Sequence, residues 1–277
     1  NIGYNWSKYS VQSVYSYGSS LGTYTTDQAS WSPAEPTWGE FYSATPEERV
    51  MKSVYTATRL HLNDDLKLLL GANYTEIDTL EYKEDKVSPY AGLTYNFTPE
   101  YTGYMSYTSI FRPQTVIDLS TQQTAVPVEG ESYEIGVKSS WLDGALTGNL
   151  AVFRTDEDNF ALNPIWDAAY NKYSSEIGTV RSQGVEVGLS GKVTDNLDLV
   201  FGFSTFSLKN MESGEKARVN IPTQTINALA SYTVPQLPKL KLGASVKWQD
   251  DIQDTSYATI TQDAYALFNL MARCEAN

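Results

Sequence analysis

Few side chains in this 277-residue chain have the types and spacing for covalent chemistry. His61, in "RLHLND", is the single histidine. As a catalytic base it would need a nucleophile within hydrogen-bond reach and a carboxylate to orient it. Ser53 lies eight residues away on the same stretch, out of reach if that stretch is extended. A histidine at the end of a strand is the plainer reading. The one cysteine, Cys274, excludes both a disulfide framework and a four-cysteine metal site. "DEDN" at 156–159 and "DD" at 250–251 carry oxygens that suit calcium, but they lack the glycine-punctuated spacing of an EF-hand loop. Solvated loop charges are expected there. No catalytic residue, metal ligand or cofactor is assigned, and an enzyme is not expected.

The partners are narrowed by composition. A formal charge of -13 leaves no basic stripe for phosphate, so nucleic acid is excluded as a partner. No segment approaches the roughly 18 consecutive apolar residues of a membrane helix. A mean hydropathy of -0.36 still permits a membrane barrel, whose strands hide half their residues from lipid. The 20 tyrosines and 6 tryptophans suit strands and membrane interfaces. "NIGYNWSKYS" has neither the basic start nor the apolar run of a signal peptide, so this is either a protein that is not exported or an internal piece of one that is.

The elements that must position these residues are strands. "EGESYEIGVKSSWLDGALTGNLAVFRTDEDNF" at 129–160 alternates Tyr133, Ile135 and Val137 with Glu134, Gly136 and Lys138. It turns at Leu142-Asp143-Gly144 and resumes with Leu146, Leu150 and Val152. Such alternation around Asp-Gly predicts a hairpin, since glycine accepts the positive φ that tight turns require. Strands are predicted near 2–17, 48–63, 66–80, 86–98, 101–111, 131–141, 145–157, 180–194, 197–208, 221–234, 239–249 and 263–274. Short connections (63–65, 98–100, 142–145, 194–196, 235–239) alternate with long ones (18–47, 112–130, 158–179, 209–220, 250–262) and a modest one at 81–85. In an up-and-down meander this puts every tight turn at one end, the asymmetry of outer-membrane barrels.

A soluble β-sandwich or propeller is the competing architecture. Strand lengths of roughly 10–15 residues, against a soluble mean of about 5–6, favour the membrane barrel. So does the clean alternation of Leu240, Leu242, Ala244, Val246 and Trp248 with polar neighbours, because a charge at mid-bilayer costs about 2–4 kcal/mol. Tyr95, Phe97, Tyr133, Trp141, Tyr232 and Trp248 sit near strand ends, as an aromatic girdle requires. The fold class is therefore all-β, an antiparallel transmembrane barrel with its apolar face outward in lipid. Arg59, Lys67, Glu134, Lys138, Arg154, Glu186, Lys192, Lys247 and Arg273 are expected on or near the inward polar face.

"YTGYMSYTSIFRPQ" at 101–114 and "EGESYEIGVKSSWLDGALTGNLAVFRTDEDN" at 129–159 resemble the barrel of TonB-dependent siderophore receptors of the ferric-pyoverdine, ferrioxamine and coprogen type. "VRSQGVEVGLSGKVTDNLDLVFGFS" at 180–204 and "DAYALFNLMARCEAN" at 263–277 are similar to later barrel segments of the same family. The resemblance implies a 22-stranded outer-membrane barrel around an N-terminal plug. It also implies import of a ferric siderophore driven by the TonB complex, with iron present only within that ligand. Twelve predicted strands correspond to about the later half of such a barrel. Residues 1–277 are expected to be a partial barrel domain, with plug, TonB-interacting motif, signal peptide, last strands and terminal aromatic residue absent. A complete twelve-stranded barrel is the alternative. A substrate-specific porin is the alternative function, and an outer-membrane enzyme ranks third.

A ferric siderophore is a bulky, partly apolar chelate, and its site needs aromatic walls with a few placed donors. The long loops offer Trp31, Trp38 and Tyr42 in "SWSPAEPTWGEFY", and Trp166, Tyr170 and Tyr173 in "NPIWDAAYNKY". Arg112, in "SIFRPQ", is the candidate cation at the mouth. Loops 18–47 and 158–179 are expected outside the cell, and Asp64-Asp65 and Asp143-Gly144 in the periplasm. On intact cells carrying the whole receptor, an epitope tag in the 158–179 loop should bind antibody while one at Asp143 should not; the reverse labelling would invert the topology.

Overall fold

The computed structural model describes residues 1–18, 37–43, 46–254 and 259–275. Twelve strands of 10 to 18 residues form one sheet. They are β1 (Ile2–Val11), β2 (Glu47–His61), β3 (Leu66–Thr79), β4 (Lys83–Asn96), β5 (Tyr101–Arg112) and β6 (Val128–Trp141). The sheet continues through β7 (Leu146–Ala161), β8 (Ile177–Thr194), β9 (Leu197–Asn210), β10 (Gln224–Thr233), β11 (Leu240–Gln249) and β12 (Tyr265–Cys274). Each strand pairs antiparallel with the next in sequence, and among the described residues β1 and β12 do not pair with each other. No helix is long and apolar enough to cross a membrane among the described residues.

The tight connections 62–65, 97–100, 142–145, 195–196 and 234–239 lie at one end of this meander, and the long loops at the other. The connection expected at 81–85 is a three-residue turn, 80–82, at the loop end. The strand expected over 2–17 stops at Val11, because Val14–Tyr15 leaves the sheet to pair with Tyr42–Ser43. At 142–145 the turn closed by Gly144 N–H on Trp141 C=O has Leu142 and Asp143 at its centre, both with positive φ, and Gly144 follows at φ 87°. The hairpin turns at Leu142-Asp143-Gly144 as the sequence predicts, with Leu142 and Asp143 as its tight central pair.

Register explains which face meets lipid. Leu60, Leu68, Leu93, Met105, Ile135, Val152 and Val185 are successive cross-strand partners, making one apolar row over seven strands. Leu60, Met105, Ile135 and Val152 are exposed (Ile135 57%, Val152 49%) and Leu68, Leu93 and Val185 half-buried, whereas their neighbour Ala151 is 3% exposed. Ser53, Thr75, Ile77, Val180 and Leu208 are also buried, and all project from the face opposite the apolar row. The most deeply buried of these wall side chains thus lie on the polar face and the most accessible apolar ones on the other, the inverse of a soluble sheet and the arrangement of a barrel wall in lipid.

Aromatic residues bound the apolar band. Near the turns, Trp141 Nε1 donates to Tyr101 Oη at 3.0 Å, and Tyr95 and Phe97 meet edge to face. Toward the loops, Tyr107 and Tyr133 pack at 5.3 Å and both donate to Glu131. Tyr133 and Trp141 share a strand face eight residues apart, about 27 Å along the strand and about 20 Å along the membrane normal at a tilt of about 40°. That matches the lipid-facing band of an outer-membrane barrel.

One sequence expectation fails here. Arg154 was placed inward, but its pairing with Tyr133 puts it on the apolar face, two residues above Val152. It sits just beyond the tyrosine row and shares Asp156 with Arg181, at 2.8 and 2.5 Å. Above the band the outer surface is aqueous, so a charge on that face carries no mid-bilayer cost. Elsewhere inward charges are as expected: Tyr104 donates to Glu134 at 2.5 Å, and Lys138 sits over the Tyr104 ring.

The ladder is continuous within the band but forks above it. β4 and β5 pair only from Tyr90–Thr108 downward, although β3 follows β4 up to Lys83 and β6 follows β5 up to Arg112. Pro89, the first residue past the last pair, has no N–H to donate. Replacing Ile135 by Arg should destabilise the assembled whole barrel by about 2–4 kcal/mol, whereas Glu134→Gln on the opposite face should cost far less. Equal stability of both variants in urea-melting of lipid-reconstituted receptor would put the wrong face in lipid.

Candidate functional site

The inward face at the loop end opens into a cavity of about 750 Å³, within the size range of small-molecule sites. Three neighbouring strands supply Tyr9, Arg49 and Thr79, which are adjacent in register and point to the polar face. Arg49 stacks over the Tyr9 ring at 5.5 Å. The first long loop adds Tyr15 and Tyr17, edge to face at 5.5 Å, with Tyr42 stacked on Tyr15 at 6.0 Å. The small hairpin Ile165–Asp167 and Lys172–Ser175 places Trp166 directly across from Tyr173, so their rings meet edge to face at 5.5 Å. Both line the cavity.

That hairpin is not an isolated excursion. Lys172–Ser175 pairs parallel with Ile117–Asp118, which pairs with Gln123–Thr124, giving a four-stranded loop sheet. Both segments lie in stretches that the sequence predicts as loops, 112–130 and 158–179. Ile117, Ser174 and Ser175 are buried by this union, while the tip at 168–171 and the side chains of Ile165, Trp166 and Tyr173 are exposed.

Glu81, in the turn between β3 and β4, ties the loop sheet to the barrel. It accepts from Lys172 in an ion pair and from Thr124 Oγ1 at 2.6 Å. Burial works to raise the Glu81 pKa, but the bonds from Lys172 and Thr124 prevail and hold it below the ordinary carboxylate range. Next to it, burial pushes the Tyr82 hydroxyl upward, and that hydroxyl donates to the Gln114 carbonyl at 3.2 Å. The cavity wall is therefore largely aromatic, and its charged groups are Glu47, Glu48, Arg49 and the Glu81–Lys172 pair. Such a wall can hold a large, partly apolar, polar-edged molecule by stacking and by a few oriented donors.

The residues singled out in the sequence are distributed as follows. Trp166 and Tyr173 are in the wall, and Tyr42 stacks behind Tyr15. Trp38 lies opposite Gly18 in a β-bridge, outside the wall, and Tyr170 is exposed at the hairpin tip. Arg112 reaches the mouth on the inward face but is paired with Glu157 at 3.1 Å and does not line this cavity. Trp31 lies outside the described residues. Tyr9, Tyr15, Tyr17, Arg49 and Tyr82 join the wall without a local sequence signal: the alternation in "SVYSYG" reads as strand, and nothing nearby marks the others.

The covalent candidates dissolve. His61 and Ser53 share β2 about 27 Å apart, and His61 is beside a tight turn. The "DEDN" groups are taken by protein donors: Asp156 by Arg154 and Arg181, Glu157 by Arg112, and Asp158 by Thr179. Thr223 occupies Asp250.

If Glu81 anchors the loop sheet, Glu81→Gln should speed trypsin cleavage after Lys172 in the whole receptor by roughly threefold or more, through local opening. A group whose pKa falls on folding gives stability that is present above its unfolded pKa and lost only as pH drops through the lowered value. The wild-type cut at Lys172, relative to other tryptic sites, should therefore be constant between about pH 6 and 8. A change across that range, or an unaltered rate in the variant, would remove Glu81 from this role.

The comparisons with known proteins agree with this architecture. Residues 1–275 match the family model described as TonB dependent receptor-like, beta-barrel. The ferric-pyoverdine BN7/BN8 receptor of Pseudomonas putida is 32% identical over 241 residues, covering 81% of this chain and 29% of the relative. The ferripyoverdine receptor of Pseudomonas aeruginosa is 29% identical over 273 residues, covering 90% and 33% respectively. The solved outer-membrane ferripyoverdine receptor of P. aeruginosa, bound to ferripyoverdine, has a TM-score of 0.79 at 26% identity over 100% of this chain and 40% of that one. The chain spans about a third of the length of the curated relatives it matches. With a lipid-facing meander of this register aligned along almost its entire length, the chain belongs to the TonB dependent receptor-like β-barrel family of the outer membrane.

Proposed function

We propose that residues 1–277 form part of the wall and outer mouth of a receptor that binds a ferric siderophore and imports it with TonB-derived energy. The observation carrying this reading is the cavity of about 750 Å³ on the inward side of the loop end, walled by Tyr9, Tyr15, Tyr17, Trp166 and Tyr173. Aromatic faces give a bulky chelate large contact area at low conformational cost, and Arg49 supplies a fixed cation at the edge. Its position at the end of the barrel with long loops is where a ligand arriving from outside the cell is first met. The relatives are receptors for ferric pyoverdines, which supports the chemical class of ligand. Iron then enters this site as cargo inside its chelate, not as a resident cofactor. Contact with TonB falls to parts of a receptor other than this barrel wall.

Inside the barrel, the side chains of Arg59, Lys67, Lys192 and Lys247 have no ion-pair or hydrogen-bond partner among the described residues. A plug domain within the lumen supplies such partners in this reading, while a porin would leave these charges in water.

The test is titration of the whole receptor with a panel of ferric siderophores. Trp166→Ala should weaken binding of the cognate chelate by about 1 kcal/mol or more, on the scale of an anchoring aromatic. Trp248→Ala, on the lipid face, should leave it unchanged. Unaltered affinity in Trp166→Ala, with surface expression intact, would remove this wall from the site.

A further inference from the structure

A second cavity, of about 300 Å³, lies where three loops meet at the mouth: 162–165, 218–220 and 253–254. Its one cation is Arg218. The loop carrying it folds back over the polar face, where Leu162, Val180, Leu208 and Ala217 form a small apolar cluster with Phe160 and Phe206 against it. Ala217 N–H donates to Leu208 C=O, and Gln253 N–H donates to Val219 C=O, so the second loop is stitched on both sides. The Arg218 guanidinium lies over the Phe160 ring at 4.9 Å, and Nη2 donates to the Ala161 carbonyl at 2.8 Å.

What is missing around Arg218 is an acceptor. A guanidinium has five N–H donors and accepts nothing. Arg218 makes that one hydrogen bond, its buried Nε has no partner, and no carboxylate pairs with it among the described residues. Arg112 repels it, and the nearby Glu157 is engaged by Arg112. Asp254 lines the same cavity and takes part in another interaction. The side-chain amides of Asn163, Asn220 and Gln253 line it too and have no hydrogen-bond partner among the described residues. A half-buried cation without a counter-ion is costly, and carboxylate is the group whose geometry a planar guanidinium matches.

We infer that this cavity is a carboxylate subsite, in which Arg218 and the amides of Asn163, Asn220 and Gln253 receive an acidic edge group of the ferric chelate. The inference rests on the receptor reading above and adds the charge of the ligand group. Arg218 then selects acidic chelates over neutral ones, while the aromatic wall holds the body of either.

The experiment uses the whole receptor and a cognate ferric siderophore in two forms that differ only in one peripheral carboxylate, free or converted to its amide. Wild type should bind the acid roughly tenfold or more tightly than the amide, and Arg218→Gln should bring the two within about twofold. Arg218→Lys keeps the charge without the fork and should give an intermediate ratio. Trp166→Ala should weaken both forms alike. A wild-type ratio near one, or a ratio that survives in Arg218→Gln, overturns the subsite. If neither form binds wild type, the receptor reading fails separately, and a chelate-free arm decides Arg218. There glutarate, compared with neutral glutaramide, should slow phenylglyoxal modification of Arg218 at least roughly threefold. Equal rates with the two probes overturn the inference.

Discussion

Lipid offers the peptide group no hydrogen-bond partner, and the rest of this structure follows from that constraint. Each strand crossing the apolar band must find its donors and acceptors on both neighbours, so the ladder runs unbroken through Leu68, Leu93, Met105, Ile135 and Val152. Every strand must also be long enough to cross, which is why the sheet is built of strands of 10 to 18 residues. Alternation is then obligatory, because a single shift in register would carry Glu134 and Lys138 into hydrocarbon.

Where the constraint relaxes, irregularity begins. β4 and β5 part immediately above the level of Tyr107, and Arg154, Asp156 and Arg181 appear on the outer face just beyond Tyr133. β7 and β8 shift register between Glu157 and Phe160, again on the loop side. These features share one level because water can satisfy peptide groups and charges there and lipid cannot. The tyrosine row marks the boundary for the same reason: its rings are apolar enough for lipid and its hydroxyls reach Glu131 in the headgroup zone.

The mouth is organised by a different principle, the mutual burial of loops. Each of 113–127 and 162–176 forms a short hairpin of its own, the second setting Trp166 against Tyr173, and the pairing of the two buries Ile117, Ser174 and Ser175. Glu81 converts that assembly into part of the barrel by meeting Lys172 and Thr124 from a three-residue turn. The aromatic wall is consequently a composite of three strand ends and two loop systems. On the other side of the mouth, Arg112 and Arg218 divide the work unequally: one is neutralised by Glu157, the other is left with open donors.

Local sequence determined what depends on period two. Strand positions, the outward face, the tight-turn end and the interfacial aromatics were all legible, because an apolar row must repeat every second residue wherever a strand crosses lipid. Most inward charges were legible for the same reason, and Arg154 was the exception because period two reports a face but not the height at which lipid ends. Trp166 and Tyr173 were found as loop aromatics, but that they face one another was set by the register of their hairpin. Tyr9, Arg49 and Tyr82 belong to the site only through neighbours distant in sequence, such as Tyr173 and Gln114. Likewise Arg218 is one of many loop cations in sequence, and only the folding of three loops over Phe160 leaves it half-buried without an acceptor. Strand periodicity is a local property of the chain, whereas the contents of the mouth arise from contacts between distant loops, and those exist only once the barrel wall has brought the loops together.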